Sequence, residues 1–89
     1  MTKEEATEKA RQDLAKRLGV QEKLITEQSV TESDFPDMAL GAASSGEMSG
    51  QMISKGWKIK LKAGNQDYEY RADKSQLRLY QFKGKNYRV

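Results

Sequence analysis

In the first twenty positions the apolar residues recur at helical spacing. Ala6, Ala10, Leu14 and Leu18 fall every four residues, with Ala15 beside them. That pattern predicts an amphipathic helix over about residues 2–18. Thr2 followed by Glu5 makes a capping box, Glu4, Glu5 and Glu8 suit the positive end of the helix dipole, and Gly19 is the expected left-handed stop. The first half of the stripe is alanine, so the helix needs a flat surface that it can approach closely.

The last third changes period. Trp57, Ile59 and Leu61 alternate with Lys58, Lys60 and Lys62, the two-residue repeat of a strand with one buried face. Gly64-Asn65 suits a two-residue hairpin turn, which sets Leu61 opposite Tyr68, Ile59 opposite Tyr70 and Trp57 opposite Ala72. On the other face Lys62 meets Asp67 and Lys60 meets Glu69, opposite charges worth about 0.2–1 kcal/mol per pair. A second turn at Lys74-Ser75 places Leu77 opposite Ala72 and Leu79 opposite Tyr70. Strands are therefore expected over 52–63, 66–73 and 76–83, and the polar stretch 24–33 reads as an exposed or edge strand. Residues 83–86 read as a further turn or the start of a basic tail. The fold class is α+β: one N-terminal helix packed on a three- to four-stranded antiparallel sheet, two layers in a single domain over 1–89.

Between the expected strands lies a loop over 36–50, PDMALGAASSGEMSG, in which nine of fifteen residues are Gly, Ala or Ser. A loop this long in so small a domain is functional or mobile. Its composition predicts mobility. Phe, Ile, Leu and Val make up only 15 of 89 residues, a lean share that points towards disorder. The shortage is concentrated in this loop and in the first half of the helix, so a thin folded domain is the better reading.

Charge is segregated along the chain. Residues 1–23 carry six basic and five acidic residues. Residues 24–54 hold no Lys or Arg and five carboxylates, and residues 55–89 carry ten basic against three acidic residues, for a formal net charge of +3. Cysteine and histidine are absent, which excludes disulfides, thiolate or imidazole catalysis and Cys/His zinc sites. No apolar run approaches the length of a membrane span. Asp34 and Asp37 flank Phe35-Pro36 but are too few for a calcium site. No cofactor is expected, and the chain reads as non-enzymatic.

Four segments carry a resemblance: ARQDLAKRLGV (10–20), FPDMALG (35–41), GEMSGQMISKGWKIKL (46–61) and YEYRAD (68–73). In this order they resemble a family of small uncharacterised bacterial proteins with the pattern ARxDLAxRLGV, W-P-D-x-x-LGCPxPG, G-[YW]-x-I-x-L and YEYH[TA]D. The element order is similar to the PepSY and cystatin-like architectures, which implies a fold and a marked loop without an activity. Phe35 replaces the pattern's Trp, Ala42 its Cys, Ala43 and Ser45 its prolines, and Arg71 its His.

Two uses of the loop region are open. Phe35, Pro36, Asp37, Met38, Leu40, Gly41, Met48 and Met52 offer adaptable apolar contacts for a protein or peptide partner. Alternatively, Phe35 and Leu40 tuck beneath the loop and extend a thin core. A protease-inhibitor loop is a further variant, although Ala-Ala-Ser-Ser-Gly lacks the preorganisation an inhibitor needs. The competing class is polyanion or nucleic-acid binding through Lys83, Lys85 and Arg88, near Tyr80, Phe82 and Tyr87. No RNP, KH or helix-turn-helix pattern supports it. A monomer and an edge-strand homodimer both fit the pattern. Met1 running straight into a helix cap fits a cytoplasmic start as well as an extracytoplasmic chain trimmed after a signal peptide.

Overall fold

The computed structural model describes residues 1–89. Thr2 caps helix α1 (Lys3–Leu18) as its sequence requires: its Oγ1 accepts the Glu5 N–H at 3.1 Å, and Glu5 Oε1 accepts the Thr2 N–H at 2.8 Å. Gly19, at φ 69°, ends the helix in the left-handed conformation that a side chain resists. A single 3₁₀ turn, Glu22–Leu24, then turns the chain into the sheet.

The sheet has five strands where the sequence pattern predicts three to four. They are β1 (Ile25–Phe35), β2 (Ser54–Ala63), β3 (Gln66–Ala72), β4 (Leu77–Phe82) and β5 (Lys85–Arg88). All neighbours are antiparallel, and spatial order equals chain order. The added strand is the stretch read as a turn or basic tail. Lys83 and Gly84 turn at φ 52° and 81°, and β5 pairs back with Leu79 opposite Tyr87. One aromatic ties it down: the Tyr87 ring meets the Phe82 ring edge-on at 6.1 Å, and the Arg17 guanidinium lies 4.7 Å above it.

The expected register between β2 and β3 is observed: Trp57↔Ala72, Ile59↔Tyr70, Leu61↔Tyr68, Lys60↔Glu69 and Lys62↔Asp67. Gly64, at φ 61°, takes the first central position of the turn. Across β3 and β4, Ala72 faces Leu77 and Tyr70 faces Leu79. The pairs are in place, but the ion pairs are not. Glu69 turns along its own strand to Arg71 Nε at 2.8 Å, and Lys58, Lys60 and Lys62 join no salt bridge.

The core lies between α1 and one face of the sheet. Ala6, Ala10 and Leu14 are fully enclosed against Ile59, Leu61, Tyr70, Ala72 and Leu79. Alanine on the helix lets the backbone sit close to the sheet. Tyr70 hides its ring there and donates its hydroxyl to Asp13 Oδ2 at 2.7 Å, while Arg17 Nε donates to the same oxygen at 2.6 Å. Burial first, and then the Asp13 carboxylate, push the phenol well above its ordinary value, so it stays protonated. Gly56 is required by contact, since a Cβ there would overlap the Ala72 carbonyl oxygen.

Candidate functional site

The opposite face of the sheet carries Lys58, Lys60 and Lys62 of β2 and the alternate positions of its neighbours, and one row across it is cationic. Lys58 pairs with Arg71, Arg71 with Arg78, and Arg78 with Arg88, four like charges on four consecutive strands. Directly opposed like charges destabilise a sheet unless something intervenes. Here the 36–50 segment intervenes at the two central members, Arg71 and Arg78.

The segment lies across β3, β4 and β5 with four successive carbonyls turned to donors on the sheet. Arg71 Nη1 donates to Leu40 O at 3.0 Å and to Gly41 O at 3.2 Å. Arg78 Nη1 reaches Ala42 O at 3.4 Å, and Asn86 Nδ2 donates to Ala43 O at 2.9 Å. Upstream, Gln76 Nε2 donates to Met38 O at 2.8 Å. Downstream, Glu47 takes both terminal nitrogens of Arg78, at 2.6 and 2.7 Å, together with the Ser44 N–H at 2.9 Å. Those bonds, Arg78 above all and then the Ser44 amide, hold the Glu47 carboxyl down at about 2. Arg78 itself is only 3% exposed. Arg71 is also clamped by rings, its guanidinium 3.7 Å above Tyr80 and 5.4 Å from Phe35.

Local chemistry shapes the segment to this path. Asp37 Oδ1 accepts the N–H groups of Ala39 and Gly41, at 2.9 and 3.0 Å, the Asx-turn use of a short carboxylate. Leu40 and Gly41 both adopt positive φ, 59° and 65°, and a Cβ at Gly41 would lie 2.7 Å from Arg71 Nη1. Ala39 and Ala42 are fully enclosed, small enough for the backbone to lie close against the sheet. Met38 N–H donates to Gly50 O at 2.9 Å and closes the segment's two ends on each other. A segment with so many fixed partners is pinned, where composition alone predicts mobility.

The residues expected to meet a partner therefore divide into two sets. Phe35 and Leu40 are buried, 3% and 0% exposed, and extend the packing beneath the segment. Asp37 and Gly41 shape it, and Pro36 is exposed beside them. Met38, Met48 and Met52 remain on the surface, and Ile53 joins them, at 51%, 96%, 67% and 72% exposure. Because Met38 is bonded to Gly50, these four border one pinched neck. Lys83, Lys85 and Arg88 are exposed on the β4–β5 turn and on β5, with Lys83 Nζ 5.4 Å from the Phe82 ring centre. Asp34 and Asp37 are not brought into a cluster of metal-ligating carboxylates.

The residues that hold the segment in place are Arg71, which the sequence marks only as a departure from the pattern's His, and Arg78, Asn86, Gln76 and Glu47, to which it assigns no role. One signal was readable. Setting Leu79 opposite Tyr70 also sets Arg78 opposite Arg71, and two facing arginines call for acceptors.

Residues 7–80 match the family described as a domain of unknown function, DUF8738, and the chain belongs to that family. No curated protein and no solved structure matches the chain. No helix is long and apolar enough to cross a membrane.

Proposed function

We propose that this domain is a non-enzymatic binding module that recognises a protein or peptide through the exposed edge of its 35–52 region. One observation carries the reading: Met38, Met48, Met52 and Ile53 stand exposed around the neck of a segment that is otherwise pinned. Large apolar side chains left in water on a lean domain mark a contact surface, and methionine adapts to varied partners. The fixed backbone beneath lowers the ordering cost of binding. The resemblance to the patterned bacterial proteins and the likeness to PepSY and cystatin-like architectures belong to the same proposal. The test is selection of peptides from a random phage library on the immobilised domain, repeated on Met48→Ser/Met52→Ser. Enriched peptides that bind the parent and lose at least about tenfold on the variant support the reading. Peptides that bind both equally, or no enrichment, refute it.

A second reading rests on a separate observation. Lys58, Lys60 and Lys62 have no carboxylate within ion-pair distance, and Lys83, Lys85 and Arg88 are exposed. Lys83, Lys85 and Arg88, on the β4–β5 turn and β5, offer a contact for a polyanion such as single-stranded nucleic acid, and the β2 lysines offer a second one, with two strands between them. Affinity for an oligothymidylate that falls steeply between about 50 and 200 mM salt supports it. Salt-indifferent or absent binding rejects it.

A further inference from the structure

We infer that the free edge of β1 is a docking site for an extended basic peptide, which adds to the sheet as a sixth strand. This surface is distinct from the methionine-bordered neck and does not depend on it.

Backbone geometry shows which groups are free. In the β2–β3 hairpin, Ala63 and Gln66 flank the two-residue turn and form a hydrogen-bonded pair. Alternation along β2 then turns the backbone groups of residues 57, 59 and 61 towards β3, and those of Lys58 and Lys60 towards β1. Ser29↔Lys60, Thr31↔Lys58 and Ser33↔Gly56 are accordingly the bonded pairs of the β1–β2 ladder. Val30, Glu32 and Asp34 point their N–H and C=O groups outward, away from the sheet. No turn, loop or cap hydrogen bond reaches them. The ladder is regular from Ser29 to Phe35, its only irregularity lying between Glu27 and Ser29.

Natural edges of this length are commonly guarded by lysine, proline or a covering element. β1 contains neither Lys, Arg nor Pro. Its acidic side chains share one face: Glu27, Glu32 and Asp34 lie on the same side as Val30, opposite Leu61, Trp57 and Lys55 of β2. All three carboxylates are exposed, and none is in a salt bridge. Two clefts open on this face of the strand. One, of about 390 Å³, lies between β1 and the first turns of α1 and includes Glu4, Glu8, Glu27 and Val30 together with Lys3, so carboxylates outnumber cations there. The other, of about 310 Å³, includes Glu32, Asp34 and Trp57 with one cation, Lys55, so it too carries a surplus of carboxylate. The first cleft also contains Arg11, whose Nε is buried and has no hydrogen-bond partner. A strand laid on β1 would send alternate side chains into these clefts, where lysine stems pack on Val30 and Trp57 while their ammonium groups meet the carboxylates.

Charge chooses between this occupant and a second copy of the chain. Pairing β1 with its own copy would bring Glu32 and Asp34 of each strand onto one face of one ladder, four carboxylates in cross-strand reach. A basic strand meets the same positions with opposite charge.

The test uses a nonapeptide alternating lysine and threonine, titrated into the ¹⁵N-labelled domain, with an alternating glutamate–threonine peptide as control. The expected result is binding of the basic peptide only, slowed exchange of the Val30, Glu32 and Asp34 amides, and affinity about tenfold lower in Glu32→Lys/Asp34→Lys. Both positions are exposed, and an unchanged melting curve confirms that the variant is folded. Three outcomes overturn the inference: basic peptide bound without protection of those amides, equal affinity in the charge-reversed variant, or a free protein already dimeric with those amides protected.

Discussion

Glu47→Gln removes one charge where the 36–50 segment is held most tightly. Arg78 loses the carboxylate that takes both of its terminal nitrogens and retains Gln76 Oε1 on Nε at 2.8 Å and Ala42 O at 3.4 Å. A guanidinium that is 3% exposed cannot recover water in exchange. The carboxyl sits at about 2 against an ordinary 4.5, which sets a ceiling of about 3 kcal/mol for its folded-state preference. Its side chain keeps 19% of its surface in solvent, which screens part of that attraction and brings the expected loss to about 2 kcal/mol. In a domain of this size the melting temperature falls by about 8–16 °C. Because the folded carboxyl is depressed, its contribution is complete above the unfolded value near 4.5 and is lost as pH falls through the folded value near 2. The gap between parent and variant therefore closes between about pH 4.5 and 2. Urea melts at several pH values measure it. A loss below about 0.5 kcal/mol, or an acid slope unchanged in the variant, refutes the assignment.

Other substitutions probe separate parts of the fold. Gly56→Ala drives a Cβ into the Ala72 carbonyl and should cost about 1–3 kcal/mol by urea unfolding; an unchanged midpoint would show that β2 and β3 can part there at no cost. Tyr70→Phe removes the hydroxyl bonded to Asp13, and calorimetry should find about 1–1.5 kcal/mol lost, since Arg17 still holds the carboxylate. Thr2→Ala breaks the capping box and should lower stability by about 1 kcal/mol, with a change under about 0.3 kcal/mol counting against a docked first turn.

The sheet was legible where local signals agreed. At β2 and β3 a period of two, a Gly-led turn and facing charges all demand the same register, and that register is observed. β5 was not legible, because Tyr87 is its one large apolar residue and its turn forces Lys83 into a left-handed conformation that its side chain disfavours. The side-chain partners of the lysines were misread for a related reason. Register fixes which residues are opposite, but Glu69 had a second cation two residues along its own strand and took it. The 36–50 segment was hardest to read. Its Gly, Ala and Ser content describes how freely it moves alone, whereas the donors that hold it belong to Arg71, Gln76, Arg78 and Asn86. Of the residues expected at a site, composition identified the exposed methionines but could not separate them from the buried Phe35 and Leu40.

A sheet whose spatial order equals its chain order also constrains the route by which it forms. From β2 to β5 each strand meets the next across a tight turn, so the search for partners is short and closes little chain. β1 alone must find its neighbour across residues 36–53, and the pinning bonds of that segment need β3, β4 and β5 already in place. The β2–β4 meander is thus the expected nucleus, with the covering segment settling after the barrier. Glu47→Gln should then quicken unfolding in stopped-flow experiments and leave refolding almost unchanged. The charge that fastens the segment acts as a latch on the finished molecule and plays no part in building it.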